Sequence, residues 1–364
     1  MNKLVIIGGG VAGLSLANFL QKKGVGFNLY EKRNQKSSKG HGFIITDEGL
    51  EKLSNIIDIN LLYKKGNVLN EYNSFDNNGK LLENKQLNKI FVVSRSSLLN
   101  LLESNLPKEN MHHNKYMEHL EFDSKKINKI YFDDGTVISP STVIAADGSR
   151  SRIREQVFPD NKLNLTQVNE IVNIIEDKEL ADEIGDKFIK FHHEDGGLSF
   201  GIMKISESKV IWYTQFDITK YPLEDDSKEG ILAFIKKNFG DWCHPIPYII
   251  NNTNFDDAHY WRVFELDELS DYYSGNTIFI GDTAHPLVPF TSQGVASALE
   301  DSQLLVDLLV KYPDSKEKAI KEYSDCRKND IKVHINNGKL LSDNFLLPLN
   351  QQKENVLPIS YKQL

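Results

Sequence analysis

Apolar positions change their rhythm several times along this chain. The run from Lys3 to Ile7 is nearly all apolar, as in a strand covered on both faces. Glycine-rich sequence follows from Gly8 to Gly13. Leu14 to Lys23 then reads as a helix, with Leu16, Phe19 and Leu20 at helical spacing. Phe27 to Glu31 is a second apolar run. Strand, helix and strand in that order predict a parallel pairing. A helix is expected from about Asp47 to Ile57, and Ser94 is placed to cap another that carries Leu98, Leu99, Leu102 and Leu106. Residues 118–139 read as a meander with a turn at Asp134-Gly135. Thr142 to Ala146 is again a buried strand.

The middle of the chain, from about 165 to 270, behaves differently. Lys187 to His192, Leu198 to Ile205 and Val210 to Phe216 are strand-like and separated by turn residues, which predicts an antiparallel sheet with one face toward a ligand. A helix is expected near Lys228 to Phe239. The buried-strand signal returns at Thr277 to Ile280, and long helices are expected over about 293–311 and 315–345. No internal repeat or low-complexity linker interrupts this order. The expected fold class is α/β, mixed: a Rossmann-like nucleotide-binding domain assembled from residues 1–70, 90–165 and 270–345. A sheet domain of residues 71–89 and 166–269 is inserted, and residues 346–364 form a C-terminal tail.

Composition narrows the setting. The 364 residues are 40% apolar and 26% charged, ordinary for a globular protein with a sizeable core. A formal charge of -8 makes neither nucleic acid nor an anionic membrane a natural partner. No apolar run approaches the roughly 20 residues that span a bilayer. The run in MNKLVIIGGG is too short for a signal peptide. Cys243 and Cys326 lie far apart without metal-ligand spacing, so reduced thiols and a cytoplasmic location are expected. Of seven arginines, four (Arg95, Arg150, Arg152 and Arg154) fall in two short stretches, a hint that the planar guanidinium is needed there. His112-His113 and His192-His193 read as structural, because neighbours on a strand point to opposite faces. No metal site is expected.

Three motifs carry chemistry. GGGVAG supplies Gly8, Gly10 and Gly13 as G-x-G-x-x-G between a strand and a helix. The first glycine allows a tight turn, the second a close approach of a pyrophosphate, and the third close helix–strand packing. Glu31 ends the second strand, where a carboxylate accepts hydrogen bonds from an adenosine ribose. AADGSRSRIR places Asp147 and Gly148 at the end of a strand, and GDTAHP places Asp282 at the end of another. Ligands gather at such carboxyl ends.

In these motifs, and in VSRSSLL around Arg95, the sequence resembles the class A flavoprotein monooxygenases, the para-hydroxybenzoate hydroxylase family. The likeness is strongest at residues 4–33, 91–102, 142–154 and 276–305. The middle strands look like those of the salicylate hydroxylase, urate hydroxylase and zeaxanthin epoxidase branches, and the tetracycline-inactivating enzymes share the layout. The resemblance implies FAD as cofactor, with NADPH or NADH as electron donor. It implies cofactor contacts at Gly8, Gly10, Val11, Ala12, Gly13, Glu31, Lys32, Gly42, Arg95, Asp147, Gly148, Asp282, Pro289, Gly294 and Val295. Arg152 and Arg154 are weaker candidates. Asp282 would meet the flavin ribityl chain, and the helix opening at Gly294-Val295 would point its positive end at the flavin ring. His285 is either catalytic or a turn histidine, and His41 either meets the ring or faces solvent. PFTSQG departs from the family's P-x-x-G-Q-G, with Ser292 in place of a glycine, and Ala296 replaces a common asparagine.

The implied activity is NAD(P)H- and O2-dependent hydroxylation or epoxidation of a small organic, aromatic or polycyclic substrate through a flavin hydroperoxide. His192, Tyr213 and Gln215 are substrate-side candidates by strand alternation. An FAD reductase of the geranylgeranyl reductase type and a non-catalytic FAD-binding module are the alternatives. The Asp-Gly segment and the histidine of GDTAHP favour the hydroxylase. Substrate identity, the choice of nicotinamide, and monomer or dimer stay open.

Overall fold

The computed structural model describes residues 3–34 and 42–353. Its first layer is a six-stranded sheet. Leu4–Ile7 lies between Phe27–Tyr30 and Val143–Ala145 in parallel register, and Thr277–Phe279 extends the sheet beside Val143–Ala145. Met111–His112 closes one edge, and Tyr273–Ser274 folds back antiparallel on the other. The parallel strands are buried on both faces, which is why they read as continuous apolar runs. The Val11–Lys22 helix covers one face and packs against the Gly294–Lys311 helix. A three-stranded meander of Met117–Asp123, Lys126–Phe132 and Val137–Ile138 leans on the same domain.

The second layer is an eight-stranded sheet. The expectation here was an antiparallel sheet, and the structure modifies it. Lys187–His192 runs parallel to Gly66–Asp76, while every other neighbouring pair is antiparallel. The sheet also takes in Gly42–Ile45 and a long hairpin of Gly66–Asp76 and Leu81–Ser94. One face carries Phe200, Ile202 and Trp212 against the helices Lys228–Phe239 and Ile246–Asn252. The opposite face is turned toward Phe290 and the end of the Lys316–Leu346 helix, which follows the Gly294–Lys311 helix. At one edge of this sheet Gly42 pairs with Ser94, the residue that caps the Arg95–Ser104 helix.

Candidate functional site

The glycine turn is shaped by contacts that exclude side chains. Gly8 sits at φ +113°, and a Cβ there would lie 2.2 Å from the Ala146 carbonyl oxygen. A Cβ on Gly13 would lie 1.9 Å from the Gly8 carbonyl oxygen. Gly10 differs, because its missing side chain faces open space. The same holds for Gly148 and Gly294. Two helices begin at or beside these glycines, Val11–Lys22 and Gly294–Lys311, and neither has a side-chain cap or an acidic residue in its first turn. The Gly281 backbone lies against both: a Cβ there would stand 2.8 Å from Ala12 Cβ and 3.8 Å from Ala298 Cβ. Their free first-turn N–H groups and positive dipole ends suit an anionic ligand. The Arg95–Ser104 helix is different, since the Ser94 hydroxyl accepts from Ser97 N–H at 3.2 Å.

Glu31 is buried and accepts from Gly9 N–H at 2.5 Å, Arg33 N–H at 2.9 Å and Arg33 Nε at 2.7 Å. Burial pushes its carboxyl up, but the Arg33 guanidinium and the backbone donors outweigh burial and hold it below the usual range. The second strand is thereby tied to the glycine turn. Arg95 lies half-buried; burial and the Arg33 charge lower its guanidinium, opposed by the Glu31 and Asp282 carboxylates. Asp282 is exposed, and it accepts no hydrogen bond among the described residues. Crowding raises its carboxyl, opposed by the His285 and Arg95 charges.

The Asp-Gly and Gly-Asp loops leave adjacent strands and are fastened to each other. Gly148 N–H donates to Thr283 Oγ1 at 2.9 Å. Arg154, fully buried, donates to the Thr283 carbonyl at 3.0 Å and to the Ser149 carbonyl at 2.5 Å. Arg152 turns away, donating to the Met117 carbonyl at 3.0 Å and lying over the Tyr116 ring. Both arginine side chains are engaged by backbone carbonyls. Asp147, half-buried and raised by burial, lies 3.4 Å from Thr283 Oγ1. Of the remaining cofactor-side candidates, Ala12 and Val295 are buried beneath the helix starts, and Val11 and Pro289 are half-buried. Gly42 is packed on Ile211 of the large sheet, and Lys32 is exposed. His41 lies outside the described residues.

His285 is a turn histidine in this fold. Its Nε2 is 2.8 Å from Asp301 Oδ2, and both side chains are buried. Asp301 also accepts from Gly281 N–H at 2.6 Å and from Arg327 Nε at 2.6 Å. Burial pushes this carboxyl up, but the His285 and Arg327 partners hold it at about 2. One carboxylate on the Gly294–Lys311 helix therefore anchors the loop that presents Asp282. Sequence reasoning missed Asp301. The available signal was an acidic residue in the apolar stripe of a helix.

On the large sheet, pairing registers put His192, Tyr213 and Gln215 on one face, with Lys190, Ser199 and Glu170 among them. Gly201 makes room for the Tyr213 ring: a Cβ there would meet the ring at 2.2 Å. Lys190 Nζ donates to Gln215 Oε1 at 2.6 Å, and Gln215 Nε2 donates to Glu170 Oε1 at 2.8 Å. All three are buried. Burial raises Glu170 to about 7 and lowers Lys190 to about 8. Burial, helped by the Lys190 charge, lowers His192 to about 3, so its ring is neutral at physiological pH. Lys190 and Glu170 were not singled out from sequence. Among the described residues no group of three His, Cys, Asp or Glu side chains gathers as metal ligands, and no helix is long and apolar enough to cross a membrane.

A family model described as FAD binding domain matches residues 1–335. The chain is 26% identical over 331 residues to a 2-heptyl-3-hydroxy-4(1H)-quinolone synthase of Pseudomonas aeruginosa, covering 84% of this chain and 80% of that protein. It is 23% identical to a 3-amino-4-hydroxybenzoate 2-monooxygenase of Streptomyces cremeus, covering 95% and 88%. Among solved structures, Klebsiella pneumoniae HpxO complexed with FAD and uric acid superposes with a TM-score of 0.84 at 21% identity, covering 96% of this chain and 90% of that one. With the family model spanning most of its length, and with two helix starts free of side-chain caps, this chain belongs to the FAD binding domain family.

Proposed function

We propose that this protein is an FAD-dependent monooxygenase that uses NAD(P)H and O2 to hydroxylate or epoxidise a small aromatic or polycyclic substrate. The observation that carries the reading is the Gly281–Asp282 loop, which lies against Ala12 and Ala298 near the two uncapped helix starts, with the Asp282 and Glu31 carboxylates both acting on the Arg95 charge. That grouping fits a dinucleotide, and Phe290, over which Lys190 of the large sheet lies, brings the sheet's polar face close in sequence to the second helix start. Bound FAD supplies the redox chemistry, taking electrons from NAD(P)H and activating O2.

The chain's own residues hold and orient. The first-turn N–H groups at Gly10-Val11-Ala12 take the pyrophosphate. Glu31 accepts from the adenosine ribose. Asp282, which accepts no hydrogen bond among the described residues, accepts from the ribityl hydroxyls. The helix start at Gly294-Val295 offers N–H groups and a positive dipole end to negative charge on the reduced ring. Pro289 opens the short turn before it, which carries Phe290 into the gap between the layers. Tyr213 and His192, both half-buried on the sheet face, are the side chains we place against substrate. The resemblance to enzymes named for aromatic ring oxygenation supports the substrate class. Unpaired Cys243 and Cys326 support a reducing, cytoplasmic setting.

Turnover of the FAD-loaded enzyme with NADPH or NADH under labelled dioxygen tests the reading. One labelled oxygen atom in the product is expected. A product reduced at a double bond, with no labelled oxygen, would identify a reductase instead.

A further inference from the structure

Among the described residues, the buried ammonium of Lys190 on the large sheet has a single hydrogen-bond acceptor. It lies on the face that carries Tyr213 and His192, paired across the sheet with Gly201, over which the Tyr213 ring lies. Its side chain is 2% exposed. An ammonium has three N–H donors. Among the described residues Lys190 uses one, to Gln215 Oε1 at 2.6 Å. Its remaining surroundings are aromatic: Nζ lies 5.9 Å from the Tyr213 ring centre, 5.9 Å from Phe290 and 5.7 Å from Phe345. The partner carboxylate, Glu170, is reached only through the Gln215 amide. That amide has its carbonyl on the ammonium and its NH2 on the carboxylate, which leaves it little capacity for a ligand. The other titratable groups beside Lys190 are His192, which is neutral, and the Tyr213 phenol, whose ionisation burial suppresses.

A buried charge with one hydrogen bond is costly unless another partner arrives. The rings of Phe290 and Phe345 shield the ammonium from water without supplying an anion, and Phe290 lies four residues before Gly294. An oxygen anion on a planar ligand lodged between the sheet and the Pro289–Thr291 turn would meet the two unused N–H groups at low local dielectric. We propose that Lys190 is the substrate-binding residue that holds an ionised oxygen, so that the substrate class is phenols, enols or aromatic acids bound as their anions. This rests on the monooxygenase reading and sharpens it. The proton lost by a phenolic substrate goes to solvent on binding, and the phenolate and the Lys190 ammonium pair without any bond being broken in the protein. A phenolate is also the more electron-rich ring for an electrophilic oxygen donor.

The test uses the FAD-loaded enzyme and 4-nitrophenol, whose phenolate absorbs visible light and whose phenol form does not. At one pH near neutrality, wild-type enzyme is expected to bind it as phenolate, and to bind the uncharged ether 4-nitroanisole more weakly. In Lys190→Met the bound phenolate-to-phenol ratio is expected to fall about tenfold or more, a shift of one pKa unit. Nitroanisole binding should stay within a factor of two or so. Lys190→Arg should restore much of the phenolate signal, which separates a charge effect from damage to packing. A Lys190→Met enzyme that keeps FAD and binds nitrophenolate like wild type overturns the proposal, and so does a wild-type enzyme that prefers the ether. The underlying reading fails differently: the wild type would then not retain FAD, or NAD(P)H would not reduce it.

Discussion

The Thr283 hydroxyl receives the Gly148 N–H at 2.9 Å, joining the loops that leave two adjacent parallel strands. Thr283 is fully buried, and its carbonyl is held in turn by Arg154. The position of Asp282, the next residue back, depends on that fastening. Thr283→Val keeps the shape and removes the bond. A buried hydrogen bond contributes about 1 kcal/mol net, so FAD affinity should weaken by about five- to tenfold. Titration of the FAD-free variant with FAD checks this, and an unchanged affinity would show that the loops are set independently.

Asp282 and Glu31 should separate in severity. Asp282 has no protein hydrogen bond among the described residues, so its free energy is available to the cofactor; Glu31 is already engaged by Gly9 and Arg33. Asp282→Ala is expected to lose FAD affinity by a hundredfold or so, in line with about 1.5–3 kcal/mol for hydrogen bonds to a charged group. Glu31→Ala should cost less affinity and more stability, because it unties the glycine turn. Purified Asp282→Ala retaining a full complement of FAD would overturn the ribityl assignment.

Asp301 is the anchor of the Gly-Asp loop, and its removal leaves Arg327 and His285 without their shared carboxylate. Asp301→Asn is expected to cost about 3–5 kcal/mol of folding stability, the usual penalty for breaking a buried pair. The wild-type contribution has a defined acid limit. The folded carboxyl is depressed to about 2 from an ordinary 3.8, so its stabilisation is present above the unfolded value and is lost as pH falls through the folded one. Urea unfolding at neutral pH and near pH 3 should therefore show the gap between wild type and Asp301→Asn narrowing in acid. A gap independent of pH would deny the ion-pair role.

Ser292 occupies a left-handed backbone position, φ 52° and ψ 23°, immediately before Gln293 and the helix start. Left-handed geometry costs a side-chain-bearing residue roughly 1–2 kcal/mol. Ser292→Gly should relieve this and raise stability by up to about 1 kcal/mol, after the larger entropy that glycine loses on folding. A fall in the urea midpoint would show that the hydroxyl is needed there.

Short-range patterns made much of this molecule legible. The Gly8-Gly10-Gly13 turn, the Glu31 carboxylate and the Asp147 and Asp282 loops each depend on contiguous residues, so spacing carried them. Alternation also placed His192, Tyr213 and Gln215 together, because a side-chain period of two survives wherever strand limits are known. Hidden from the sequence were partnerships between distant segments. Asp301 meets His285 and Arg327 from another helix, and Lys190 reaches Glu170 through Gln215 over a span of four strands. Their registers include a parallel pairing that local pattern does not encode. Arg152 and Arg154 cluster in sequence because they tie loops and strands together, a use that the same clustering cannot tell from ligand binding.

The most direct test of the account is the rate at which NADPH and NADH reduce the bound FAD without oxygen, followed at the oxidised flavin band with and without a panel of phenols and aromatic acids. The account predicts reduction by at least one nicotinamide, strongly accelerated by an anionic aromatic compound. No reduction by either nicotinamide under any of these conditions would contradict it.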